Sequence, residues 1–199
     1  MKVLVAGATG NTGQRLVQEL CDRGHHPIAL VRDSSDTSGL PKGAEQRVSD
    51  LTDLADDVTA DCDAVVFAAG SGGGTSAEMT DKVDRDGAID LIDKAEKSGV
   101  RRFVMLSSVG TQNPDPDSDL AHYLQAKHDA DEHLKASDLE YAILRPVSLT
   151  DDGPTGSVIL GEDVDPKGKA ARGDVAVILA DAVEQDEWAG AVRLMQTAY

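Results

Sequence analysis

Short, continuous apolar runs alternate along the chain with longer segments in which apolar residues recur every three or four positions. This is the pattern of parallel strands joined by crossover helices. The spacing predicts a first strand over Lys2 to Ala6 and then a glycine turn. Leu16, Val17, Leu20 and Cys21 supply an apolar stripe to a helix that Gly24 ends. A second strand is expected over Pro27 to Val31, a third near Gln46 to Val48, and a short helix over Leu51 to Val58. Ala64 to Ala69 is apolar without alternation, as a strand buried on both faces must be. Gly70 to Thr75 reads as a flexible loop, and the long helix after it carries Met79, Val83, Ala88, Leu91, Ile92 and Ala95 before Gly99 closes it. Further strands are expected over Arg102 to Leu106, Tyr141 to Leu144 and Ala191 to Met195, with helices over Tyr123 to Ala136 and Val175 to Val183. Gln112 to Asp119 reads as a surface loop. Thr150 to Gly173, rich in Gly, Pro and Asp, reads as a lid with a short strand at Ser157 to Leu160. The sum is an α/β, Rossmann-type doubly wound sheet of six or seven mainly parallel strands with helices on both faces.

Length narrows this picture, because 199 residues suit one domain over 1–199 with its lid inside it, and leave no room for a second large domain. No apolar run approaches the roughly 20 residues of a membrane span. The start of the chain reads directly into a strand instead of a signal peptide, so a cytoplasmic protein is expected. Charge excludes two classes of partner. With 36 acidic against 19 basic residues and a net charge of −17, the surface repels nucleic acid and anionic membrane. The acids are dispersed, Asp outnumbers Glu, and aromatics make up only 3%. That composition resembles proteins of salt-loving archaea, in which dense carboxylates keep a protein hydrated in concentrated salt, so a halophilic source is expected. Cys21 and Cys62 match no redox or zinc spacing and read as small buried hydrophobes. His25, His26, His122, His128 and His133 form no ligand pattern, and no metal is expected. Asp115 to Asp119 lacks the glycine and distal glutamate of a calcium loop. Trp188 reads as a packing or interface residue.

The chemistry starts at Gly7-Ala8-Thr9-Gly10-Asn11-Thr12-Gly13, where the first strand turns into the first helix. Gly7 permits the tight turn, Gly10 lets the backbone approach a pyrophosphate, and Gly13 allows close helix packing. Thr9, Asn11 and Thr12 complete the expected dinucleotide contact, and the helix N-terminus offers unpaired N–H groups. The residue ending the second strand selects the cofactor, because an acid there would bond the ribose 2′-hydroxyl of NAD. Here it is Arg32, whose guanidinium suits the 2′-phosphate of NADP, with Ser34 and Ser35 adding hydroxyls. Asp33 remains available to a ribose hydroxyl, so NADP is favoured over NAD without excluding it. Tyr123 and Lys127 stand at i and i+4 and share one helix face. A neighbouring ammonium is expected to lower the Tyr123 pKa and to fit the phenol for acid–base work.

These motifs, with Asp50-Leu51, Phe67-Ala68-Ala69-Gly70, Leu106-Ser107-Ser108 and Leu144-Arg145-Pro146, occur in the order of the short-chain dehydrogenase/reductase superfamily. The chain most resembles its short, atypical NAD(P)-binding members of NmrA-like and epimerase-like type, over nearly its whole length. The resemblance implies that Asp50 bonds the adenine amino group beside Leu51, and that Ala68, Ala69 and Gly70 pass near the adenosine ribose. It further implies that Pro146 and Val147 border the nicotinamide and that Lys127 holds its ribose. A serine or threonine after the fifth strand would steady the substrate oxygen; Ser107 and Ser108 are the candidates, with Thr111 slightly later. The function expected is an NADP-dependent oxidoreductase or epimerase-like enzyme acting on a small carbonyl, hydroxyl, quinone or flavin substrate, as a monomer or homodimer. The alternative is a non-enzymatic NADP-binding redox sensor of NmrA-like type, which would not need the Tyr123 proton.

Overall fold

A computed structural model describes residues 1–71 and 75–199. Gly72, Gly73 and Gly74, inside the expected glycine-rich loop, lie outside the described residues. Strand β1 (Lys2–Ala6) leads through the glycine turn into helix α1 (Asn11–Asp22), and strands β2 (His26–Val31), β3 (Glu45–Val48) and β4 (Ala64–Phe67) follow. Helix α2 (Ala77–Thr80) runs through a π-helical stretch (Asp81–Asp86) into α3 (Gly87–Lys97). Then come β5 (Arg102–Leu106), α4 (Ala121–Ala136), β6 (Glu140–Pro146), β7 (Ser148–Thr150), β8 (Val158–Leu160) and β9 (Lys169–Ala171). Helix α5 (Arg172–Glu184), a 3-10 turn (Asp186–Trp188) and β10 (Ala191–Thr197) end the chain.

The main sheet has eight strands in the order β3-β2-β1-β4-β5-β6-β10-β8. All neighbours are parallel except β8, which runs antiparallel along β10 at the edge. The count exceeds the six or seven expected because the short Val158–Leu160 segment pairs fully with Met195 to Thr197. The lid region is more regular than its composition suggests, since β7 and β9 form a second, two-stranded parallel sheet.

Alternation along each strand divides the core into two layers. Val3, Val5, Val66 and Val104 meet α1 and α5 on one face, where Leu16, Leu20, Val175 and Leu179 are fully buried. Leu4, Val65, Phe67 and Phe103 meet α3 and α4 on the other, against Leu91, Ile92 and Leu134. Burial on both faces is why β4 and β5 read as unbroken apolar runs. Trp188 is 1% exposed and belongs to the first layer, with the Arg193 guanidinium stacked 4.4 Å from its ring.

Three expectations need correction. Leu51 to Val58 forms consecutive turns, not a helix, although Leu54 and Val58 are buried at helical spacing. The Asp50 carboxylate captures the N–H and the hydroxyl of Thr52, and Arg47 bonds the Val58 and Ala60 carbonyls, so local side-chain bonds replace a helical ladder. In the long helix, Met79 is 42% exposed and Val83 only half-buried. The π stretch takes an extra residue per turn and rotates the inward face, which buries Asp84 at 1% exposure. Cys21 and Cys62 are free and half-buried instead of core residues. Among the described residues, no helix is long and apolar enough to cross a membrane.

Candidate active site

Because β1 to β6 are parallel, every segment singled out by the sequence leaves its strand at the same, carboxyl edge of the sheet. The strand order reverses between β1 and β4, and an open α/β sheet forms its ligand crevice at such a point. Gly7 lies there with φ of +80°, and a Cβ on it would stand 2.6 Å from the Cα and N of Ala69. The turn after β1 therefore touches the chain leaving β4, an approach that only glycine allows. A Cβ on Gly13 would fall 2.0 Å from the Gly7 carbonyl oxygen, so glycine also sets how closely α1 seats on the turn. Gly10 caps α1 without a side chain, and both it and Asn11 are exposed, while Thr12 is buried and Thr9 half-buried. The first N–H groups of α1 thus face the crevice without a side-chain cap, a donor set that fits a pyrophosphate. Across it, the Asn11 amide and Arg172 guanidinium donate to the Asp151 carboxylate at 3.3 and 2.9 Å, tying the lid to α1.

Beyond β2 and β3, a cleft of about 580 Å³ is lined by Arg32, Asp33, Ser34, Val48, Asp50 and Leu54. Arg32, Asp33 and Ser34 are exposed, and among the described residues no hydrogen bond or ion pair holds the Arg32 guanidinium. Bonds from the Thr52 N–H and hydroxyl, with the Arg32 charge beyond them, hold the Asp50 carboxyl below its ordinary value. Leu51 and Ala69 are half-buried together against the second core layer, Ala68 is half-buried, and Gly70 is exposed.

Helix α4 brings Tyr123 and Lys127 to the ends of β4 and β5. The Lys127 ammonium lies 5.7 Å from the Tyr123 ring centroid, 5.7 Å from that of Phe67, and 3.4 Å from the Leu106 carbonyl. The pair shares a face, as its spacing predicts, but the electrostatics differ from the expectation. Burial pushes the Tyr123 phenol up, Lys127 opposes this, and Asp84 and Asp131 add to it, so the phenol titrates above its ordinary value. Lys127 is itself fully enclosed; burial works against its charge, yet Tyr123, Asp84 and Asp131 hold it above its ordinary value. Its closest carboxylate oxygen is Asp84 Oδ1 at 3.3 Å, and Asp84 Oδ2 accepts the Ser71 N–H at 2.9 Å.

The two serines after β5 part company. Ser107 is buried and its hydroxyl donates to Asp131 Oδ2 at 2.8 Å, where the Thr111 hydroxyl and the Arg145 Nε and Nη2 also donate. Ser108 is half-buried, and its hydroxyl donates to the Val109 carbonyl at 3.3 Å. Pro146 and Val147 are buried at the end of β6, where the Val147 N–H reaches the Met195 carbonyl of β10. Asp84 and Asp131 are not singled out in the sequence, and Arg145 enters there only within the Leu144-Arg145-Pro146 motif. Asp131 carried a signal, standing at i+4 from Lys127, whereas Asp84 is turned inward by a π stretch that no periodicity reveals.

The comparisons agree with this geometry. The family described as NAD(P)H-binding matches residues 7–186. The uncharacterized sugar epimerase YhfK of Bacillus subtilis is 38% identical, over 93% of this chain and 89% of its own length. A Bacillus halodurans structure, provisionally described as an NAD-dependent epimerase/dehydratase, is 39% identical and covers 100% of this chain and 94% of its own at a TM-score of 0.94. The oxidoreductase ylbE of Lactococcus lactis superposes with a TM-score of 0.87 at 28% identity, covering 100% and 91%. The chain belongs to the NAD(P)H-binding family, with the Rossmann-type fold of its atypical, epimerase-like short-chain dehydrogenase/reductase members.

Proposed function

We propose that this protein is an NADP-dependent oxidoreductase, or a closely related epimerase, that acts on a small carbonyl or hydroxyl compound. The observation that carries the reading is the pairing of Tyr123 with Lys127 at the ends of β4 and β5, beside the glycine turn that meets β4. When bound, the dinucleotide supplies hydride chemistry; the protein supplies position and a proton. The first turn of α1 would hold the pyrophosphate, Asp50 and Leu51 the adenine, and Lys127 the ribose next to the reacting carbon. Arg32 and Ser34 favour NADP, since a free guanidinium at the mouth of the cleft suits a 2′-phosphate. The Bacillus halodurans relative is described as NAD-dependent, so the preference rests on this chain's own Arg32 and Ser34. Tyr123, a half-buried phenol held above its ordinary value, donates a proton to the substrate oxygen as it gains charge. Ser108 is the serine free to steady that oxygen. The reading is tested by following NADPH consumption with aldehydes, ketones, quinones and free flavin. Turnover of a carbonyl that disappears in Tyr123→Phe supports it, whereas turnover of flavin alone, indifferent to Tyr123, assigns the protein to flavin reduction.

A further inference from the structure

Two carboxylates and two cations are buried together behind Tyr123, and their pairing is specific. Asp131 of α4 is matched by Arg145 of β6, whose Nε and Nη2 lie 3.2 and 2.9 Å from its Oδ2. That leaves Asp84 to face Lys127, at 3.3 Å, with both side chains at or near zero exposure. Asp84 is not placed there by regular helix geometry. It lies inside the π-helical stretch between α2 and α3, which turns it inward where Val83 would be expected, and such single-turn distortions recur at functional sites. Its second oxygen accepts the Ser71 N–H, while Oδ1 makes no hydrogen bond among the described residues and has the Lys127 ammonium as its ionic partner.

We propose that Asp84 is a positioning residue of the Tyr123–Lys127 pair: by matching the Lys127 ammonium inside the protein, it keeps the Tyr123 phenol protonated and poised to donate. A lone ammonium beside a phenol lowers its pKa, because a tyrosinate would answer the buried charge. With Asp84 answering it instead, Lys127 keeps its place below the Leu106 carbonyl while the phenol stays neutral. The charged groups that act on Tyr123 are Lys127 and Asp131 from its own helix and Asp84 from the π stretch, and Arg145 offsets Asp131 from β6. The consequence is a direction of chemistry. A neutral phenol serves carbonyl reduction, in which the substrate oxygen takes up a proton, better than alcohol oxidation, which needs a base.

This assignment rests on reading Tyr123 as the proton-transferring residue, but its test does not need turnover. Tyrosinate absorbance is titrated in the cofactor-free protein, and the signal of Tyr123 is isolated by subtracting that of Tyr123→Phe. In Asp84→Asn the Tyr123 signal develops about one pH unit lower than in the wild type. An unchanged or higher midpoint overturns the proposal. Breaking one partner of a buried pair can prevent folding. In that case Asp84→Asn combined with Lys127→Gln removes both charges, and its Tyr123 midpoint returns toward the wild-type value from the raised one of Lys127→Gln alone. A double variant whose midpoint stays as high as that of Lys127→Gln overturns the proposal equally. If Asp84→Asn shifts the midpoint while Tyr123→Phe retains full turnover, the hold of Asp84 on Tyr123 stands and the catalytic reading of Tyr123 falls.

Discussion

The Ser107 hydroxyl reaches Asp131 Oδ2 at 2.8 Å, whereas that of its neighbour Ser108 turns to the Val109 carbonyl at 3.3 Å. One serine is built into a buried network with Thr111 and Arg145, and the other is half-buried outside it. Ser107→Ala is therefore expected to lower stability by about 1–3 kcal/mol, because Asp131 loses a donor it cannot replace with water. Ser108→Ala is expected to fold with unchanged stability and to lose turnover. Chemical denaturation of both variants checks this; equal stabilities would remove the distinction.

The glycine turn predicts a second contrast. A methyl group on Gly13 collides with the Gly7 carbonyl at 2.0 Å, a backbone atom that cannot move aside. Gly13→Ala should cost about 3 kcal/mol or more in stability. A methyl group on Gly10 meets the same oxygen at 3.3 Å, a tight but tolerable distance on an exposed residue. Gly10→Ala should fold and bind dinucleotide more weakly, since the added group occupies the face that a pyrophosphate would approach. Thermal melts with and without NADPH separate the two effects.

Tyr123→Phe keeps the ring and removes the proton. If the phenol transfers that proton, kcat falls by about 10²–10⁴-fold while NADPH affinity stays within about threefold of wild type. Steady-state kinetics beside a binding titration check it, and a loss confined to KM would assign Tyr123 to substrate binding only.

Charge makes the fourth prediction. A net charge of −17 works against the compact state wherever it is unscreened. The screening length shortens from about 10 Å at 0.1 M salt to about 3 Å at 1 M. The melting temperature should therefore rise by several degrees between dilute buffer and molar potassium chloride, at about 2–4 °C for each kcal/mol gained. A melting temperature that does not move would remove the halophilic reading.

The alternation of parallel strands and helices was legible in the sequence, because apolar runs and helical stripes report burial directly. The Leu51 to Val58 segment misled, since Leu54 and Val58 keep helical spacing while Asp50 and Thr52 bond each other locally. The pairing of Tyr123 with Lys127 could be read from i, i+4 spacing, but its charge state could not. That depends on Asp84, which reaches the pair through a π stretch, and on Asp131, one turn further along the same face of α4. Likewise nothing local distinguishes Ser107 from Ser108; the partner that separates them, Asp131, lies on another element.

The central claim is that the crevice between β1 and β4 holds an NADP dinucleotide whose 2′-phosphate is read by Arg32. The most direct test is a fluorescence titration of the purified protein, in molar potassium chloride, with NADPH and NADH, repeated with Arg32→Ala. The account predicts tight NADPH binding, weaker NADH binding, and a loss of that preference in Arg32→Ala with NADH affinity little changed. Equal affinity for the two nucleotides, untouched by Arg32→Ala, would contradict the NADP assignment, and binding of neither would contradict the account as a whole.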